Sequence, residues 1–161
     1  MTKTKTRIYL YSLLIISVLM QIVLMRHLNW FPDIILLMAV FTGIFMGPGQ
    51  GAVFGSIAGL LRGTFSAGTV VLDIFLFSLL GVMSSLLAKK FYRQNPVFQI
   101  AVTMAASFIV VAVHTLYLNF VSGNDLTVPF VILSSRMHLA VTVLISPFVF
   151  ILLKKILRLE E

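Results

Sequence analysis

Apolar runs recur from one end of the chain to the other, each closed by a short polar or glycine-rich break. Their length, about 15 to 25 residues, is that of helices able to cross a hydrocarbon layer about 30 Å thick. The first runs from Ile8 to about Met25 behind a polar, basic start. It resembles a signal peptide, yet it ends in Met25-Arg26-His27 with no small-residue cleavage site, so it is read as a retained helix. Trp30 and Phe31 then mark an interface. Pro32 and Asp33 open the second run, the proline suited to a first helical turn and the aspartate to the positive end of the helix. That run stops at Gly47-Pro48-Gly49, a strong breaker. A third run carries Arg62 near its far end, a fourth carries Asp73 near its start, and a fifth includes His114. The sixth holds Arg136 and His138, and Pro147 predicts a kink there. The pattern predicts one all-α polytopic membrane domain of six transmembrane helices, approximately over 8–25, 33–46, 50–65, 69–88, 96–121 and 130–153.

Runs two and three are short for a bilayer. Two tilted or locally thinned spans are the preferred reading, because irregular backbone is not tolerated against lipid at depth. A re-entrant hairpin over 34–62 would satisfy the charge pattern equally well.

Gly43, Gly47, Gly51, Gly55, Gly59 and Gly63 fall at unbroken intervals of four, with Pro48 dividing the register. Four residues nearly retrace one helix face at about 3.6 residues per turn. The series therefore predicts a groove without side chains into which a second helix backbone settles, the usual basis of association in lipid. A glycine-lined ligand path is the alternative. The spacing matches neither G-x-G-x-x-G nor a Walker A loop.

Composition and charge sharpen this picture. Of 161 residues, 60% are hydrophobic and 11% charged, far from soluble averages. The chain has no cysteine, which removes disulfides, thiolate chemistry and cysteine-bound metal from consideration. A net charge of +7 would suggest nucleic acid in a soluble protein. Here the basic residues gather as Lys3/Lys5/Arg7, Lys89/Lys90/Arg93 and Lys154/Lys155/Arg158, flanking apolar runs. That is the positive-inside signal with added attraction to anionic lipid, so a nucleic-acid partner is not expected. With six spans, both termini and the 89–95 loop lie in the cytoplasm.

Under that topology Asp33, Arg62, Asp73, His114, Arg136 and His138 all fall in the outward half. Charges inside a span face a partner, a cavity or water. Asp73 is expected to pair with Arg62 or Arg136, while Arg136 could alternatively take Asp33 or snorkel outward. The group either fixes helix register or forms an outward vestibule where a partner docks. The spacing of His114 and His138 gives no support to a metal site with Asp73, and no nucleophile elbow is present. Neither catalysis, a cofactor nor a metal is expected.

The order of features resembles the MreD rod shape-determining proteins of bacteria. The shared features are the basic start and first helix, Pro32-Asp33, the Gly47-Pro48 break, the Gly51/Gly55/Gly59-Leu60-Leu61 series, a short glycine-containing turn and a last helix with Pro147. Nearly the whole chain is covered, although the family usually has an aspartate just after Gly-Leu-Leu where this chain reads Arg62-Gly63. The resemblance implies a non-enzymatic subunit of the cell-elongation machinery. It would associate with the bitopic protein MreC and, through it, with the MreB filament and the RodA–transpeptidase synthase. The family is also similar in architecture to the substrate-binding S-components of energy-coupling-factor vitamin transporters, which supplies the alternative: a small-solute binder using the outward polar groups.

Overall fold

The computed structural model describes residues 3–25, 32–65, 69–91, 94–122 and 128–157, without the side chains of 3–5, 7, 22, 24, 25, 65, 122 and 128–138. Among the described residues there are six α-helices and no strand: α1 (Lys3–Met25), α2 (Ile34–Met46), α3 (Pro48–Phe65), α4 (Val70–Lys90), α5 (Pro96–Ser122) and α6 (Val128–Leu157). Three described segments, Val70–Lys90, Pro96–Val121 and Leu139–Leu157, are long and apolar enough to cross a membrane.

The centre of the fold is α2. Its 13 residues, IILLMAVFTGIFM, are hydrophobic all round, the mark of a helix enclosed by protein. Every residue from Ile35 to Ile44 is buried, and α2 touches each of the other five helices. Phe41 stacks edge-on against Phe150 of α6 with ring centroids 5.6 Å apart, and Tyr11 of α1 meets Phe54 of α3 at the same separation. The surrounding helices turn large apolar side chains outward: Ile15 and Leu19 on α1, Phe75 and Leu79 on α4, Phe108 and Phe120 on α5, Leu144 and Phe148 on α6. Such a continuous apolar exterior would be unstable in water and is what lipid requires.

One residue separates α2 from α3. Gly47 adopts φ +95°, Pro48 occupies the first position of α3, and the Gly51 amide donates to the Gly47 carbonyl at 2.9 Å. The expected packing series thus divides by role. Gly47 has nothing within 4 Å of where a Cβ would stand and serves the turn through its backbone, which corrects its placement on the packing face. A Cβ on any of the other five would collide. Gly51, Gly55, Gly59 and Gly63 lie against the backbone of Gly81, Phe77, Asp73 and Val70 respectively, and Gly43 also meets Gly81. Steps of four on α3 are answered by steps of four, then three, on antiparallel α4.

Helix α6 runs through Pro147, which has no N–H for the Val143 carbonyl. The Ser146 hydroxyl donates to that carbonyl at 2.8 Å and replaces the missing bond. Thr42, Ser84 and Thr115 likewise donate to the carbonyl four residues back, so these hydroxyls enter the apolar interior satisfied.

Candidate functional site

At the end of the bundle away from Lys89 and Lys154, two ion pairs occupy the spaces between helices. Asp33 is the N-cap of α2 and accepts from the Leu36 amide at 3.0 Å, as an aspartate at that position should. It is almost fully buried, which forces its second oxygen to find a cation. Arg62 of α3 supplies it: Nη1 lies 2.7 Å from Asp33 Oδ2. The guanidinium also stands over the Phe77 ring of α4, 5.1 Å from its centroid, where the ring face favours positive charge. Gln21 of α1 donates to Asp33 Oδ1 at 3.4 Å, and the Asp33 amide donates to Thr142 Oγ1 of α6 at 2.9 Å. One aspartate thereby joins α1, α2, α3 and α6, with α4 reached through Arg62.

The second pair links α4 to α5, which otherwise touch sparsely. Asp73 is fully buried in the first turn of α4. Its Oδ1 lies 2.9 Å from His114 Nε2, and its Oδ2 accepts from Thr69 Oγ1 at 3.0 Å. His114 Nδ1 lies 2.9 Å from the Val110 carbonyl, which can only accept, so Nδ1 is protonated and donates.

These pairings correct the expected Asp73–Arg62 pair. Arg62 is taken by Asp33 and Asp73 by His114, while the side chains of Arg136 and His138 lie outside the described residues. A signal for the Asp33–Arg62 pair is present in the sequence: at about 1.5 Å per residue both stand about 20 Å from the Gly47 turn that joins their helices. Height does not exclude Asp73, since Gly59 and Gly63, on either side of Arg62, both lie against it.

Beside the Asp33–Arg62 pair a cavity of about 30 Å³ is bordered by Asp33, Arg62, Ser107 and Thr142. Ser107 Oγ is buried without a hydrogen-bond partner among the described residues. The volume suits a single water bridging Ser107 to the ion pair. Among the described residues no three His, Cys, Asp or Glu side chains come together to hold a metal. The arrangement therefore does mechanical work: it clamps five helices at one end and holds its charges in contact.

No curated protein and no solved structure matches the chain. The family model for the rod shape-determining protein MreD matches residues 1–156, nearly the whole length. The enclosed central helix, the apolar exterior and this match together identify the chain as a membrane protein belonging to the MreD family of rod shape-determining proteins.

Proposed function

We propose that the chain is a non-enzymatic scaffold of the cell-elongation complex. It seats the transmembrane helix of an MreC-like bitopic protein, and so connects with the MreB filament and the RodA–transpeptidase synthase. It does this as one six-span domain of the inner membrane, similar in architecture to the S-components, with both ends in the cytoplasm. The observation that carries this reading is that the acids described at the polar end are already paired, Asp33 with Arg62 and Asp73 with His114. A small-molecule site needs about 300–1,000 Å³, and the cavity beside Asp33 and Arg62 holds about 30 Å³. Its charges are engaged with one another, which favours a rigid scaffold over a solute binder.

A place for the partner helix is offered by an apolar groove of about 450 Å³ between α5 and α6, bordered by Met104, Phe108, Ala140 and Leu144. Ala140 is small and exposed, and small residues let a second backbone approach closely in lipid. Depletion in a rod-shaped host should round the cells, and purification should bring down an MreC-like protein. Ala140→Trp, which fills the groove, should reduce that recovery while the protein still accumulates. Normal shape together with a vitamin-uptake defect would select the transporter reading instead.

A further inference from the structure

The hollow at the opposite, basic end belongs to neither ion pair and has a different chemistry. It measures about 560 Å³ and lies where α2 and α4 end, walled by Phe45, Gly47, Ser85, Lys89, Phe91 and Gln94 among others. Lys89 is exposed at its edge and has no acidic partner among the described residues. Lys154 of α6 stands over the Phe45 ring, 4.6 Å from the centroid, so a second lysine lies near the hollow without lining it. Asp33 and Asp73, the acids whose side chains are described, both sit at the far end. Helix termini add little net sign here, because α2 and α4 end around the hollow while α3 and α5 begin there, and their partial charges offset. The lysines decide that it attracts an anion.

What lies above the hollow says which anion. Phe75, Leu79, Met83 and Leu86 form an exposed apolar strip along α4, leading down to Lys89. At the rim Phe91 is exposed and stacks on Phe98 of α5, centroids 5.6 Å apart. A ligand matching both parts carries a phosphate at one end and acyl chains at the other. We propose that this hollow is a binding site for an anionic glycerophospholipid, its phosphodiester headgroup beside Lys89 and its chains along the exposed face of α4. Basic recesses between membrane helices are suited to such headgroups, since attraction to the charge adds to burial of the tails.

The test uses the full-length protein in bilayer nanodiscs of phosphatidylcholine containing about one-tenth phosphatidylglycerol, as a surface charge sufficient to engage basic residues. After extraction into mild detergent, native mass spectrometry counts the lipids retained. Wild type should keep one phosphatidylglycerol in preference to phosphatidylcholine. K89Q should retain it about fivefold less, the loss of one lysine near an anionic surface. K155Q, which removes an exposed lysine outside the wall, should behave as wild type. Lys89 is exposed and supports no packing, so K89Q keeps the fold, and unchanged thermal unfolding confirms it. Equal retention of both lipids, or K89Q and K155Q behaving alike, would overturn the site. Complete displacement by millimolar glycerol phosphate would assign the hollow to a soluble phosphate and overturn the lipid.

Discussion

Gly51 of α3 and Gly81 of α4 touch main chain to main chain: a Cβ on either one would run into the backbone of the other. Gly43 of α2 abuts Gly81 from a second direction, so three helices converge on one residue. The nearest atoms at these contacts are backbone, and the helices can admit a side chain only by moving apart.

Gly55→Ala should therefore lower stability by about 1–3 kcal/mol, the usual cost of overpacking a close interface. Gly81→Leu should prevent accumulation. Gly49→Ala is the control, since nothing lies within 4 Å of its would-be Cβ. Thermal unfolding in detergent checks all three. Equal melting of the Gly55 and Gly49 variants would show that α3 and α4 do not meet along this face.

For the Asp33–Arg62 pair, Asp33→Asn keeps a side-chain oxygen for the Leu36 amide while removing the charge. The expected loss is about 3 kcal/mol, the low end for breaking a buried pair, because Arg62 keeps 20% of its side-chain surface. Arg62→Gln should cost a comparable amount, and the double variant clearly less than the sum. Additive losses in a double-mutant cycle would mean that the two charges act independently.

For the Asp73–His114 pair, His114→Gln should weaken the α4–α5 junction by about 1–2 kcal/mol, the upper range for a polar contact between membrane helices. Adding Asp73→Asn should recover part of this, since two amides can pair without a buried charge. Hydrogen exchange reads the effect locally. Amides near His114 should exchange faster in the single variant and slower again in the double; faster exchange confined to α1 would contradict the assignment.

Because the chain lacks cysteine, a single Gly49→Cys reports on topology without background. Gly49 is exposed beside the turn between α2 and α3. A membrane-impermeant thiol reagent applied to intact cells should leave it unmodified, and should label it once the membrane is opened. Labelling from outside would place this turn on the other face and remove the six-span topology.

Helix positions were legible because Pro48, Pro96 and the glycine breaks punctuate the chain in plain view. The four-residue glycine period was equally visible, but its partner was not, because α4 answers with backbone and needs only Gly81 to be small. Asp33 was recognisable as a helix start, and its equal distance with Arg62 from the Gly47 turn could be counted; its contacts with Gln21 and Thr142 arise from the packing of α1 and α6 around that start, which no local pattern encodes. The shortness of α2 read as a difficulty with lipid, whereas its unbroken hydrophobicity is that of a helix with no lipid face.

The position of α2 also sets an order on biosynthesis. Synthesised second, it waits for four of the five helices that enclose it. Gln21 precedes Asp33 in the chain, Arg62 follows one helix later, and Thr142 emerges only with the last. Until α6 arrives, Phe41 has no Phe150 to face and the Asp33 amide no hydroxyl to meet. Half-made chains therefore carry an unfinished core, which closes only when α6 arrives.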